Sequence, residues 1–136
     1  MSKTYIRRAS FDDAANLLKW KNDPTMRKYS IVTSKKITMK DHMVWLKKHI
    51  NQIYIIGEEF GDIRVSGKEV AIKLAPEYRG KGYGLEALRA IHRLFKDLTA
   101  KIVDGNIASF RLFLKAGYKP VAHRFSNGVG YYILKR

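Results

Sequence analysis

Apolar and polar positions alternate in two rhythms along the chain, and the rhythms divide it into strands and helices. "YIRRA" (5–9) reads as a first strand. Ser10 then stands where an N-cap belongs, with Asp12 and Asp13 in the following turn, where side-chain oxygens and negative charge suit the unpaired N–H groups of a starting helix. Leu17 and Leu18 carry this helix to Asn22-Asp23-Pro24, a turn signal. Thr38 with Asp41 three residues on resembles a capping box, and Met43, Leu46 and Ile50 at helical spacing place a second helix over 39–50. "IYII" (53–56) is an apolar strand closed by Gly57, and "DIRV" (62–65), Ser66-Gly67 and "KEVAIKLA" (68–75) form a hairpin. Leu85, Leu88, Ile91, Phe95 and Leu98 mark one stripe of a helix from about 84 to 97. "KIVD" (101–104) is a further strand, 107–116 a helix with Gly117 at C′, and "PVAHRF" pairs with "GYYILK" around Ser126-Asn127-Gly128. The order β-α-α-β-β-β-α-β-α-β-β predicts one α/β (α+β) domain over 1–136. Its core is a single mixed, mostly antiparallel sheet flanked by helices on both faces.

Composition narrows the partners. The chain carries 27 Lys and Arg against 12 Asp and Glu, a net charge of +15, which favours anionic partners. The cations are dispersed: Lys35-Lys36 and Lys47-Lys48 are short pairs, and no block of five or more marks a nucleic-acid arm. Nor is there an RNP-like aromatic motif, so nucleic acid is not the expected partner. There is no cysteine, which suits a reducing cytoplasm and rules out thiolate metal sites. His92 and His123 carry no metal-ligand spacing, so no metal is expected. No stretch approaches the roughly 20 apolar residues of a membrane span, and "MSKTYIRRAS" has no apolar signal-peptide region. The expected location is cytoplasmic, and the oligomeric state stays open between monomer and homodimer.

One segment concentrates chemistry. "VAIKLAPEYRGKGYGLEALRAIHRLF" (70–95) runs from a strand through Gly80, Gly82 and Gly84 into a helix, with Arg79 and Lys81 among the glycines. Glycine permits positive φ and close backbone approach, and a helix N-terminus offers unpaired N–H groups and a positive dipole end. Together these suit a phosphate. A tight strand-to-helix turn needing small residues is the structural alternative, against which Pro76 ends strand pairing early and two cations sit where N–H groups converge.

"LAPEYRGKGYGLEAL" resembles the pyrophosphate-binding motif of the GNAT acyltransferase superfamily (Arg or Gln, two residues, Gly, one residue, Gly or Ala) through Arg79, Gly82 and Gly84. Downstream, "NIASFRLFLKAGYK" resembles the family's second motif through Asn106, Ser109, Phe113, Gly117 and Tyr118. The resemblance covers about residues 4–136. It implies acetyl-CoA as cofactor, with Arg79, Gly80, Lys81, Gly82, Tyr83 and Gly84 around its diphosphate and Asn106 and Ser109 along its pantetheine arm. It also implies a strand that splays from its neighbour, so that Leu74 offers its N–H to the thioester oxygen. Glu69, ten residues before Arg79, takes the place of a glutamate that faces the acceptor in many relatives. It is the candidate base, acting directly or through water; a surface ion pair with Lys68 or Lys73 is the alternative. A base matters because an alkylamine with a pKa near 10.4 is neutral in roughly one molecule in a few thousand at pH 7. Phe113 stands where many relatives carry a tyrosine near the departing thiolate, which leaves Tyr118, Tyr83, water or solvent as proton source.

"LLKWKNDPTMRKYS" (17–30) and "ITMKDHMVWLKK" (37–48) resemble the branch that includes amino-sugar nucleotide and ribosomal-protein N-acetyltransferases. In that reading Trp20 stacks on a sugar or base and Arg27 meets phosphate, while a core role is the alternative for both Trp20 and Trp45. His42 and His49 lie on the same helix, facing either the acceptor or solvent. The expected activity is acetyl transfer to a primary amine, favouring a small anionic acceptor such as an amino-sugar nucleotide. Two alternatives are acetylation of a protein N-terminus or ribosomal protein, and a noncatalytic acyl-CoA- or RNA-binding module of the same fold.

Overall fold

In the computed structural model, which describes residues 5–31 and 35–136, the predicted elements form with boundaries set by local chemistry. Residues 1–4 and 32–34 of the expected single domain lie outside the described residues. Strand β1 (Ile6–Arg8) ends where Arg7 reaches forward to clasp Asp13 with two bonds of 2.9 Å. Asp13 also accepts the Ser10 N–H at 2.8 Å. Helix α1 (Ala14–Lys21) therefore starts behind a short 3₁₀ turn rather than at Ser10.

The expected turn at Asp23-Pro24 is itself the start of a short helix, α2 (Pro24–Lys28). Pro24 fits the first helical position, and the Asp23 carboxylate accepts from Thr25 N–H at 3.1 Å and Met26 N–H at 3.4 Å. Helix α3 (Met39–His49) is capped by Thr38, whose Oγ1 accepts the Asp41 N–H at 3.2 Å. Strands β2 (Ile53–Ile56), β3 (Gly61–Ser66) and β4 (Glu69–Leu74) follow as an antiparallel meander.

Helix α4 (Tyr83–His92) stops short of the predicted 97, because the Leu94 and Phe95 N–H groups both fall onto the Ile91 carbonyl at 3.0 Å and Asp97 turns left-handed at φ 59°. Leu98 still ends up buried, which is why the stripe in the sequence runs past the helix. Strand β5 (Thr99–Val103) leads to helix α5 (Ile107–Lys115). Gly117, at φ 96°, closes α5: its N–H bonds the Leu114 carbonyl and the Tyr118 N–H bonds that of Phe113, a Schellman pair. Strands β6 (Lys119–Ser126) and β7 (Val129–Lys135) meet at Asn127 (φ 53°) and Gly128 (φ 75°), the two left-handed residues of a tight hairpin.

The sheet order is β1-β2-β3-β4-β5-β7-β6, and β4 with β5 is its parallel pair. Alternation divides the side chains between two layers. Val70, Ala87, Leu88, Ile91, Ala100, Ile102 and Phe113 pack beneath α4 and α5. Leu17, Trp20, Leu46, Ile53 and Ile55 pack beneath α1 and α3 on the opposite, front face. This is the expected mixed sheet flanked by helices.

Candidate active site

The centre of the sheet contains a gap. Strands β4 and β5 are in register at a single pair, Glu69 with Thr99, and beyond it β4 has no partner on that side. Hydrogen-bonded and non-bonded pairs alternate in an antiparallel ladder. Since the Ala75 N–H bonds the Phe60 carbonyl at 2.9 Å, the next pair inward, Leu74 with Gly61, is non-bonded. Leu74 therefore turns both its N–H and its C=O away from β3, toward the gap. The carbonyl is taken by Arg79 Nε at 3.0 Å. The N–H is left as a donor facing an opening, which suits a carbonyl oxygen.

Immediately after β4 the chain makes the glycine turn. Gly80 (φ 72°) and Gly82 (φ 86°) are left-handed, and a Cβ added to either would meet nothing within 4 Å. Their need for glycine is therefore conformational, and the space beside them is open to a ligand. Gly84 differs: its Cβ would come within 3.0 Å of the Leu112 side chain, so it lets α4 approach α5. The first-turn N–H groups of α4 project behind this loop with no intrahelical partners. Lys81 is exposed on the loop, and Tyr83 stacks on Phe60 at 4.4 Å. An open donor, an uncrowded left-handed turn and a helix N-terminus in sequence fit an acyl thioester at one end and a diphosphate at the other.

The other predicted residues take more specific positions. Asn106 is the N-cap of α5, accepting the Ser109 N–H at 3.4 Å, so the Asn-x-x-Ser spacing is in part a capping device. Arg79 points its guanidinium back under the loop, to Leu74 O and to Asp23 Oδ2 at 3.0 Å. Glu69 lies five positions before Leu74, roughly 17 Å along an extended strand. It pairs with Lys101 at 3.2 Å rather than with Lys68 or Lys73, and its carboxylate does not reach the Leu74 donor directly. Trp20 is a correction: at 5% exposure it belongs to the front-face core, because α1 turns that side inward, and it cannot stack on an acceptor. Arg27 is half-buried, and its Nε bonds the Asn22 carbonyl at 3.0 Å.

The two tyrosine candidates for the general acid differ: Tyr83 is half-buried at the start of α4 with its ring on Phe60, whereas Tyr118 is enclosed. Tyr118 is buried and its phenol shares a 2.7 Å hydrogen bond with His92 Nε2. Burial pushes that phenol up to about 12 and pulls the His92 imidazole down to about 4. Phe113 is core, edge-on to Tyr118 at 4.9 Å.

Sequence reasoning passed over a charged cluster beside the gap. Asp62 on β3 is buried, 3.6 Å from Lys73 on β4, with Lys21, Arg64, His42 and Trp45 around the same small cavity. Burial outweighs these cations and raises the Asp62 carboxyl above its ordinary value. Burial, then the charge of Lys73, lowers Lys21 to about 8, and its ammonium sits 3.4 Å over the Trp45 ring. His42 is neutral core: Nε2 donates to the Ala14 carbonyl at 3.2 Å, leaving Nδ1 to accept from Lys21 at 3.4 Å. The signal was a lone acid in the inward register of an apolar strand. Among the described residues no group of three or more His, Cys, Asp or Glu could hold a metal, and no helix is long and apolar enough to cross a membrane.

A fold with one splayed parallel pair feeding a glycine turn defines an acyl-CoA-dependent transferase. The model of the acetyltransferase (GNAT) domain matches residues 3–119, and the chain belongs to this family of acetyl-CoA-dependent N-acetyltransferases. Three solved structures are similar in fold. The acetyltransferase (GNAT family) from Bacillus anthracis is 19% identical with a TM-score of 0.81, covering 99% of this chain and 95% of that one. The spermidine N-acetyltransferase from Vibrio cholerae, in complex with CoA and spermine, is 17% identical with a TM-score of 0.83, over 100% and 96%. The yncA protein from Salmonella typhimurium, with its cofactor acetyl-CoA, is 18% identical with a TM-score of 0.74, over 99% and 94%. No curated protein matches the sequence.

Proposed function

We propose that the protein transfers acetyl to the primary amine of a small anionic acceptor, with an amino-sugar nucleotide as the favoured class. The observation that carries the placement of the transfer is the Leu74 N–H, unpartnered by any strand at the gap and directly ahead of the glycine turn. When bound, acetyl-CoA supplies an acetyl group activated as a thioester. On the protein's side, the amides of residues 79–84 hold the diphosphate, Asn106 and Ser109 border the pantetheine, and the Leu74 N–H stabilises negative charge on the carbonyl oxygen.

The front face of β4, β5 and β7 supports an anionic acceptor. Register places Glu69, Ala71 and Lys73, then Thr99, Lys101 and Val103, then Lys135, Ile133 and Tyr131 on that side. Its single front-face carboxylate on these strands is outnumbered by lysines. Polyamines, which the Vibrio cholerae relative holds as spermine, would meet like charge here. Glu69 takes the amine's proton through water along this face, and the thiolate is protonated by solvent or by Tyr83, since Tyr118 and Phe113 are enclosed in the core.

The test is thiol release from acetyl-CoA across phosphorylated and nucleotide-linked amino sugars, spermine, an aminoglycoside and free-N-terminus peptides. Turnover of the anionic sugars above the polycations is expected. Turnover confined to peptides or to spermine would overturn the acceptor class, and tight acetyl-CoA binding without any turnover would make this a binding module.

A further inference from the structure

Arg79 stands at the joint of the two substrate sites, and its guanidinium is already engaged. Nε bonds the Leu74 carbonyl at 3.0 Å, and Nη2 bonds Asp23 Oδ2 at the same distance. Asp23 is 13% exposed in its side chain and caps α2 with that same oxygen. Burial alone would raise the Asp23 carboxyl, but the Arg79 bond and charge, with the two capping N–H groups, bring it below the ordinary value. The position of the Leu74 carbonyl is telling. It lies on the edge of β4 that a regular sheet would have paired with β5. Once β5 has splayed away, this edge turns the N–H and C=O of Ile72 and of Leu74 to the gap, and at Leu74, next to the glycine turn, that is one acceptor and one donor. A side chain now fills the acceptor and leaves the donor. On its other side the same peptide unit is held by the Ala75–Phe60 bond at 2.9 Å, so the Leu74–Ala75 peptide plane is fixed at both ends. Beyond Asp23, α2 continues to Tyr29, whose ring lies against Gly105 at the start of α5, where an added Cβ would meet it at 3.9 Å. The segment from Asp23 to Tyr29 thus bridges from the end of β4 to the loop after β5.

We propose that Arg79 is a positioning residue: with Asp23 it occupies the Leu74 carbonyl at the end of the open edge of β4, so that Leu74 offers the gap its N–H alone, and it locks that end of the edge to the α2 segment on the amine side. A guanidinium fork is required for this, because one nitrogen must serve each partner in a fixed plane; an ammonium of equal charge cannot. The loop amides, rather than this side chain, are left to hold the diphosphate. The inference rests on Leu74 as donor to the thioester carbonyl, and its test reads that contact apart from turnover.

Two variants keep what folding and phosphate binding need. Arg79→Lys keeps the positive charge, and Asp23→Asn keeps a capping oxygen for α2. Circular dichroism checks the fold, calorimetry gives the acetyl-CoA affinity, and difference infrared spectroscopy reads the carbonyl stretch of bound [1-¹³C]acetyl-CoA. The wild-type band is expected below that of the free ligand. In both single variants it returns toward the free value while affinity changes by less than about threefold, and the double variant goes no further than Arg79→Lys. The inference is overturned if the band stays at the wild-type position in both variants. It is equally overturned if Arg79→Lys weakens binding about tenfold or more while Asp23→Asn changes nothing, since the guanidinium would then be gripping phosphate. A wild-type band at the free position would remove the Leu74 contact itself and this inference with it, whatever the thiol-release panel yields.

Discussion

At the scale of single residues, position along a strand separates roles that residue type alone had joined. Glu69 is a strand glutamate on the front face, roughly 17 Å of extended strand from Leu74, so a role as base is expected to run through water. Glu69→Gln is therefore expected to lower kcat/KM by less than the 10²–10⁴-fold typical of a direct general base and to change the pH–rate profile, since the water relay loses its proton acceptor; an unchanged profile would remove Glu69 from the mechanism. A loss of about a hundredfold or more would restore Glu69 to direct contact with the amine. The His92–Tyr118 pair gives a second expectation. His92 titrates near 4 in the fold against about 6.5 unfolded, so the unfolded chain takes up the proton first as pH falls. The pair's contribution is complete above pH 6.5 and is lost progressively down to about 4. Thermal melts should show a fall in Tm of roughly several degrees across that window, flattened in His92→Gln. The spacing of Glu69 from Leu74 was legible, but the sequence left core and cleft open for Trp20 and did not show the His92–Tyr118 pair, because whether a Trp, His or Tyr faces a core or a cleft depends on which side of its element is covered. Trp20 and Tyr118 were covered.

At the scale of elements, most of the molecule follows from periodicity and punctuation. The strands of the β3–β4 hairpin, helix α3 and the Asn127-Gly128 hairpin lie within a residue or two of where spacing puts them. The failures are instructive. Five residues are too few for a periodic signal, so α2 could be read only as a turn; Asp23 and Pro24 make it a helix by satisfying its first N–H groups. The stripe to Leu98 overran α4 because a buried residue just past a helix end keeps the pattern while the backbone has changed. Gly117 was legible for the right reason, since the left-handed C′ of α5 needs it. Gly117→Ala should cost about 1 kcal/mol in urea unfolding, with the m-value unchanged. The glycine turn was legible as a strand-to-helix turn that needs positive φ, whereas the aim of its arginine was not, because Asp23 lies far away in sequence.

At the scale of the whole molecule, the +15 charge acts as a field rather than as a site. It should draw the coenzyme in, so the association rate and affinity for acetyl-CoA are expected to fall as salt rises from about 0.05 to 0.5 M, as screening lengths shorten below about 10 Å. Affinity that is flat across that range would confine binding to the short-range contacts of the loop. The split between β4 and β5 has a mechanical outcome as well. One registered pair joins a four-strand block to a three-strand block, so the backbone ladder that ties the halves of the sheet together is nearly cut through at its middle. A ligand lying in that cut becomes the missing rung. Amide hydrogen exchange along Ile72–Leu74 and Lys101–Val103 should slow together when acetyl-CoA is added, turning two blocks that loosen separately into one that opens as a unit.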